Sequence, residues 1–294
     1  MPSALTTLLV LLGIVGLAFT VLWLRSLIAA KKRGERIAPT PYELLVGFVT
    51  DFLDTWGIGS FATTTTLYRA RRTIDDRLLP GTLNVGHTLS TIAQAFIYTT
   101  AIHVEVTTLI LMIVAAVAGS MIGAPIVSRW PRRNIQVGLG LALLVLTGVL
   151  VYRQILGDAK TGTDGLSGTL LTIGVVGNFV LGALMTIGVG LYAPCLVMVS
   201  MLGMNPDTGF PIMMSSCAFL MPSASIPFVR NKCYSASAAV GLTIAGVPAV
   251  ILAAFVVKKL SMYWIQWLVA VVVIYTAVML LRAAARERAA ASNT

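Results

Sequence analysis

The chain has 294 residues, of which 57% are hydrophobic and only 11% are charged, and its mean hydropathy is +0.89. Soluble domains carry about 25% charged residues, so the composition excludes a soluble domain and indicates an all-α integral membrane protein. The formal net charge of +10 comes from short basic clusters between apolar runs. Such clusters are a topology signal and do not indicate a nucleic-acid partner.

The first apolar run, residues 4–24, has no basic segment before it and is followed by basic residues between Lys31 and Arg36. We therefore predict a retained transmembrane helix with its N-terminus outside, not a cleaved signal peptide. Further apolar segments follow at about 41–68, 78–101, 106–128, 134–155, 169–203, 211–229, 235–257 and 262–282.

Two of these segments contain the same short interruption. Residues 55–62 read Thr-Trp-Gly-Ile-Gly-Ser-Phe-Ala, and residues 186–193 read Thr-Ile-Gly-Val-Gly-Leu-Tyr-Ala, at an offset of 131 residues. Paired glycines are unfavourable inside a helix, and a duplicated, interrupted apolar segment indicates the binding site of a transporter. Both segments exceed the roughly 20 residues of one crossing, so each could be an over-long span or a re-entrant hairpin.

The distribution of lysine and arginine decides between these alternatives. Two hairpins and seven crossings place 17 of the 21 basic residues on the cytoplasmic side, whereas nine full crossings divide them 12 to 9. We therefore predict seven transmembrane helices plus two re-entrant helical hairpins, with the C-terminus in the cytoplasm. Because each repeat has an odd number of crossings, the two repeats have inverted topology, and both hairpin tips should meet near the midplane.

This organisation divides the chain into five parts. They are an N-terminal helix with a basic cytoplasmic loop (1–40), repeat 1 (41–155), an extracellular linker (156–171), the inverted repeat 2 (172–283) and a cytoplasmic tail (284–294). Each repeat holds one hairpin and three helices. The expected location is the plasma (inner) membrane, and the long outer helices at 4–24 and 262–281 could form the surface of a homodimer.

The hairpin tips are the predicted binding site. The second arm of each hairpin begins at the tip, so its free N–H groups and positive helix end suit an anion. No lysine or arginine falls in the predicted membrane interior, so neutral donors would hold the anion and release it again. The predicted substrate-binding residues are Gly57, Gly59, Ser60, Asn84, His87, Thr88, Gly188, Gly190, Tyr192, Ser215 and Ser216. Close helix packing is the alternative explanation for the glycines.

Three ionisable residues fall in or near this site. His87 lies at the expected depth of the tip, where an ionisable group is a functional candidate, although it could simply bond to a neighbouring helix. Asp51 and Asp54 share one face of the first arm, and we assign them to coupling or gating; the alternative is that they hold the hairpin by hydrogen bonds. A carboxylate beside an anion site is unfavourable unless it is protonated or paired with His87.

The sequence does not predict an enzyme, a cofactor or a metal site. It contains no HExxH motif, and Gly59-Ser60-Phe61-Ala62 lacks the second glycine of a Gly-x-Ser-x-Gly nucleophile. The three cysteines form no CxxC pair, which favours small buried residues over metal or redox chemistry. The expected partners are therefore a small anion and the lipid bilayer.

At these residues the chain resembles the TauE/SafE family of sulfite and organosulfonate exporters. The run from Gly188 to Leu196 and the stretch from Pro211 to Ser216 match well, whereas the first copy has Ser60 at the third glycine and Thr63 at the proline position. The resemblance implies seven crossings, two repeats and export of sulfite, sulfoacetate or a related small anion from the cytoplasm.

For the mechanism we predict alternating access, in which the hairpins move relative to a scaffold of the other helices. With the cytoplasm negative, outward movement of one negative charge gains about 2.3 kcal/mol per 100 mV, so export needs no coupling ion. A proton- or cation-coupled importer, or a channel for another small anion, remains the alternative.

Overall fold

The computed structural model describes residues 3–123, 131–155, 162–185, 190–258 and 262–291. Within these ranges the chain is helical, apart from its turns and one isolated β-bridge between Thr163 and Met204. The helices are α1 (Ala4–Lys32), α2 (Pro41–Thr55), α3 (Ser60–Arg71), α4 (Leu79–Ala101), α5 (Val106–Ala118), α6 (Arg132–Ile155), α7 (Gly168–Met185), α8 (Tyr192–Met201), α9 (Gly209–Asn231), α10 (Ala236–Lys258) and α11 (Met262–Ala291). The all-α prediction is confirmed for this part of the chain.

Five of the described helices are long and apolar enough to cross a membrane, by length and composition. These candidate spans are Ala4–Lys32, Gly168–Met185, Pro206–Asn231, Ala236–Val256 and Trp267–Arg286. Helix α4 has 23 residues, and many of its buried side chains are polar. These polar residues lower the mean hydropathy of the helix. The protein is therefore a multi-pass membrane protein, and the number of its crossings stays a prediction.

The first of two compact units contains Met1–Ala101 and Met214–Lys258. In this unit α2 and α4 both pack on α10 through glycines. A Cβ built on Gly47 of α2 would lie 2.7 Å from the Leu242 Cα, and one built on Gly86 of α4 would lie 2.7 Å from the Leu242 Cδ1. Small residues at helix contacts let backbones approach closely in membrane proteins, so these three helices form a tightly packed group.

The base of α2 is fixed by a polar network. Thr40 and Glu43 form a capping box, in which the Glu43 amide donates to Thr40 Oγ1 at 3.2 Å and the Thr40 amide donates to Glu43 Oε2 at 2.7 Å. Glu43 is buried, and its Oε1 accepts from Arg36 at 2.8 Å and from the Ser237 hydroxyl at 3.1 Å. The capping box starts the helix, and the remaining bonds tie it to the preceding loop and to α10.

The second unit contains Ile102–Met213 and Lys259–Thr294. Its helices α5 and α7 cross at two glycines, because a Cβ on Gly119 or on Gly182 would overlap a backbone carbonyl of the opposite helix. Gly119 also begins a π-helical turn, Gly119–Gly123, which continues α5. A close helix crossing in the second unit therefore depends on small residues, as in the first.

Candidate functional site

The interruption predicted in the first copy is present. Helix α2 ends at Thr55, and α3 begins at Ser60. Gly57 and Gly59 have φ values of +91° and +83°, a region that residues with a side chain rarely adopt. The Gly57 amide donates to the Asp54 carbonyl at 2.8 Å. The two glycines thus form the turn that places the N-terminus of α3.

The Asp54 carboxyl group lies at the N-terminus of α3. The Ser60 amide donates to Asp54 Oδ1 at 2.5 Å, and Gln94 Nε2 donates to Asp54 Oδ2 at 2.9 Å. Both Asp54 and Ser60 are buried. A helix N-terminus favours a hydrogen-bond acceptor such as a carboxyl oxygen, and here that acceptor belongs to the protein. The Ser60 amide, which the sequence assigned to the substrate, is therefore bonded to Asp54 in this structure.

His87, in α4, forms hydrogen bonds to both α2 and α3. Its Nδ1–H donates to Asp51 Oδ1 at 2.8 Å, and its Nε2 lies 3.0 Å from the Thr64 hydroxyl oxygen. Asp51, Thr64 and His87 are fully buried, and the Phe61 ring centroid lies 6.2 Å from that of His87. A carboxylate can only accept hydrogen bonds, which assigns the Nδ1 proton. The pairing of Asp51 with His87 that the sequence considered is present.

The second oxygen of Asp51 faces α10. A Cβ built on Gly246 would overlap Asp51 Oδ2 and would lie 2.5 Å from Ser90 Oγ. Asp51 and Ser90 are each fully buried. Gly246 is therefore the position where α10 makes room for this carboxylate.

One face of α4 supports the turn between α2 and α3. Gln94 also donates to Thr55 Oγ1 at 3.2 Å, and the Tyr98 hydroxyl donates to the Thr55 carbonyl at 2.9 Å. These side chains follow His87 at intervals of seven and eleven residues, which places them on one side of a helix. The polar cluster, as we define it, consists of Asp51, Asp54, Ser60, Thr64, His87, Ser90 and Gln94.

Other predicted site residues lie on α4 and α9 with partners of their own. Asn84 Nδ2 donates to a carbonyl one turn earlier in α4 at 2.9 Å. The Thr88 hydroxyl donates to the Asn84 carbonyl at 2.6 Å and lies 3.2 Å from Ser225 Oγ. Ser215 is buried, 2.8 Å from the Thr99 hydroxyl. These bonds join α4 to α9 within the first unit.

The residues of the second copy are divided between the units. Gly190 and Tyr192 belong to the second unit, whereas Ser215 and Ser216 belong to the first. Tyr192 is buried as the first residue of α8, and a Cβ on Gly190 would meet open space. Gly188 lies outside the described residues. The structure therefore brings together Asp51, Asp54, Ser60 and His87.

Thr64, Ser90, Gln94 and Gly246 belong to the site but were not predicted from the sequence. The helical spacing of polar residues in α4 was a usable signal for Ser90 and Gln94, because residues three, four and seven apart share a face. Thr64 and Gly246 gave no such signal. Their roles depend on contacts between helices that the sequence alone does not specify.

The charges near the polar cluster come from its own side chains. The ion pairs formed by arginine in the described part of the chain are Arg33–Glu35, Arg36–Glu43 and Arg69–Asp76. None of them includes Asp51 or His87. The described residues also contain no group of three or more His, Cys, Asp or Glu side chains that could hold a metal ion.

Comparison with known proteins identifies the family. The model of the family described as Sulfite exporter TauE/SafE matches residues 1–150, which include every member of the polar cluster. Neither the curated proteins nor the solved structures gave a match. The match covers half of the chain and confirms the resemblance noted in the sequence. The chain therefore belongs to the sulfite exporter TauE/SafE family.

Proposed function

We propose that the protein is a secondary transporter, not an enzyme, that exports small sulfur-containing anions such as sulfite, sulfoacetate or a related sulfonate from the cytoplasm. The observation that carries the proposal is the N-terminus of α3. There a buried backbone amide already holds a carboxylate, with Ser60 N and Asp54 Oδ1 2.5 Å apart. An oxyanion is thus accommodated at this position by a neutral donor, which is the chemistry a sulfite or sulfonate group requires.

A second donor supports an anion site at the same turn. The indole Nε1 of Trp56 is buried and has no acceptor among the described residues, and an indole N–H can only donate. Trp56 directly precedes Gly57, and its ring lies 5.1 Å from that of Phe52. We assign Gly57, Gly59, Ser60 and Trp56 to one wall of the substrate site.

Helix lengths support re-entrant hairpins. Helix α3 has 12 residues and α8 has 10, or about 18 Å and 15 Å at 1.5 Å per residue. Neither length approaches the hydrocarbon thickness of about 30 Å. A short helix that follows a glycine turn is the form expected of a second hairpin arm, entering the membrane only to its midplane.

Helix bounds support the internal repeat. Adding the offset of 131 to the bounds of α3 and α4 gives 191–202 and 210–232, and α8 and α9 begin and end within one residue of these positions. We therefore assign a substrate-binding role to the second tip as well, at Gly188, Gly190 and Tyr192. Alternating access follows if each inverted repeat opens toward one side.

The proposed orientation places the N-terminus outside and the C-terminus in the cytoplasm. It rests on the positive-inside rule, since this arrangement puts 17 of 21 lysines and arginines on the cytoplasmic side. The buried Asp51–His87 pair favours one alternative, a proton-coupled importer on the same fold, because ionisable groups inside a membrane often carry protons. A channel is the other alternative.

The test is efflux of labelled sulfite and sulfoacetate from proteoliposomes. His87→Ala should abolish a saturable efflux because it removes the link between α2 and α3. His103→Ala is the matched control, since His103 is exposed between α4 and α5. Absence of flux for both anions would eliminate the substrate class. Flux that survives in His87→Ala would eliminate the site, and linear, non-saturating flux would identify a channel.

A further inference from the structure

Helix α1 is the most exposed of the five candidate membrane spans, with 22% of its apolar stretch buried. A shallow groove of about 620 Å³ on its outer face is lined by Ile14, Leu17, Ala18, Val21, Leu22 and Arg25. These residues recur at intervals of three and four, so they share one side of the helix. Phe19, Trp23 and Leu27 lie on the opposite side, where they are buried in a core with Val85 of α4. The groove therefore points away from the helices that α1 packs against.

The shape of the groove follows from the sizes of its side chains. Ile14, Ala18 and Leu22 form one row of residues four apart, and Leu17, Val21 and Arg25 form the next. Such rows are ridges on the surface of a helix. Ala18 is exposed in the middle of the first row, and its single methyl group leaves a dip between two larger side chains. An extended hydrocarbon chain fits a dip of this kind.

The length of the groove matches one leaflet of a bilayer. Arg25 follows Ile14 by eleven residues, which is about 16 Å at 1.5 Å per residue. Half of the hydrocarbon thickness is about 15 Å. A lipid whose headgroup lies at Arg25 would therefore have the end of its acyl chain near Ile14, at the midplane.

The polar end of the groove carries uncompensated positive charge. Lys32 follows Arg25 by seven residues, which places both on the same side of α1, and both are exposed. Neither has an ion-pair partner in the described part of the chain, whereas the nearby Arg33 is paired with Glu35 at 2.6 Å. A phosphate group would neutralise this end, and a guanidinium can donate two parallel hydrogen bonds to it.

We propose that the groove from Ile14 to Arg25 binds an anionic phospholipid of the bilayer. The lipid phosphate accepts from the Arg25 guanidinium, Lys32 adds electrostatic attraction, and one acyl chain lies over Ala18. A zwitterionic lipid binds less tightly, because its own cationic group lies beside the phosphate and is repelled by Arg25 and Lys32. This lipid site goes beyond the proposed transport function and does not depend on it.

A second copy of the chain fits this face less well than a lipid. Two copies with the same orientation in one membrane would place their α1 helices parallel. A contact through the groove would then bring Arg25 and Lys32 of one copy opposite the same residues of the other, and like charges that face each other oppose association. An anionic lipid brings the opposite charge, so we assign the face to lipid.

Native mass spectrometry of the full chain in detergent, titrated with phosphatidylglycerol or phosphatidylcholine, tests the headgroup site. Wild type should bind phosphatidylglycerol more tightly. Arg25→Gln and Lys32→Gln should each weaken this binding by roughly fivefold, the attraction of one basic residue to anionic lipid, and leave phosphatidylcholine binding unchanged. Lys31→Gln is the matched control, because Lys31 is an exposed neighbour on another side of α1. Equal binding of both lipids by wild type, or no effect of Arg25→Gln, would overturn the proposal.

Ala18→Leu tests the acyl-chain part of the site with every charge retained. Leucine fills the dip at an exposed position and is a good helix former, so the protein should fold while phosphatidylglycerol binding weakens. Phosphatidylglycerol should also raise the melting temperature of wild type, since a ligand of the folded state stabilises it, and should raise that of Ala18→Leu and Arg25→Gln less. Unchanged lipid binding in Ala18→Leu would overturn the proposal. A wild-type dimer that becomes monomeric in Ala18→Leu would assign the face to a second copy and would also overturn it.

These measurements use no transported anion. Failure of the lipid site would therefore leave the proposed transport function intact, and absence of sulfite or sulfoacetate flux would leave the lipid site intact.

Discussion

Gly246→Ala tests whether α10 confines the Asp51 carboxylate. The added Cβ would overlap Asp51 Oδ2 and lie 2.5 Å from Ser90 Oγ, whereas ordinary contact begins at 3.4 Å, so Ser90 Oγ would have to retreat by about 0.9 Å. The carboxylate must also move, which stretches its 2.8 Å bond from His87 Nδ1. Overpacking costs about 1–3 kcal/mol, and a lost bond to a charged group costs about 1.5–3 kcal/mol.

We expect the free energy of unfolding to fall by about 2–4 kcal/mol, because part of the strain can relax by rotation of the two side chains. The assay is chemical unfolding in mixed micelles, followed by circular dichroism. Gly138→Ala in α6 is the control, since a Cβ there meets nothing within 4 Å, and it should be neutral or stabilise by up to about 1 kcal/mol. Equal stability of Gly246→Ala and wild type would refute the reasoning.

Three further substitutions test the surrounding structure. Gly47→Ala should destabilise more than Gly246→Ala in the same assay, because its Cβ would meet the backbone of α10 at 2.7 Å, which cannot rotate away; a smaller effect would contradict this packing. Glu43→Ala removes a helix cap and a buried ion-pair partner and should cost about 1–3 kcal/mol in that assay, whereas no loss would show that the base of α2 is held by other contacts. Hydrogen bonds, the strongest from the Thr108 hydroxyl, hold the pKa of Glu105 below its usual range. Glu105 therefore stabilises the fold above its unfolded pKa, and this contribution disappears as pH falls through the lower, folded value. On acidification the melting temperature should fall more for wild type than for Glu105→Gln, and equal falls would count against the pKa shift.

The sequence predicted the interruption and the ionisable residues because both depend on local composition. Two glycines in three residues are incompatible with a continuous helix, and α2 ends before Gly57 as expected. Histidine and aspartate inside an apolar segment are conspicuous, so His87 and Asp51 could be selected as a pair. Their 2.8 Å contact satisfies the need of a buried carboxylate for a hydrogen-bond donor.

The sequence could not predict which hydrogen-bond donors each carboxylate would accept from. Asp54 was predicted either to couple or gate or to hold the hairpin by hydrogen bonds, and its oxygens accept from Ser60 and Gln94. That choice depends on how α3 turns back toward α4 after the glycines. Gly246 lies far along the chain in another apolar helix, and its importance comes from one contact with Asp51. Helical periodicity indicates which side of a helix is polar, but it does not indicate which neighbouring helix packs against that side.

Helices α2 and α3, which flank the first glycine turn, are attached to their surroundings in different ways. Helix α2 is joined to α10 along its length, through backbone contact at Gly47 and through the network around Glu43, so these helices should move as one rigid body. Near its start, helix α3 meets its neighbours at the Ser60 amide and the Thr64 hydroxyl, groups that a ligand or water can also satisfy. Near its end it is held by the hydrogen bond from the Tyr42 hydroxyl to the Leu67 carbonyl and by the buried Tyr68 ring. Helix α3 thus begins at exchangeable hydrogen bonds and ends in fixed packing, and a substrate that competes for the bonds of Ser60 and Thr64 could free the start of α3 while its end stays attached to α2.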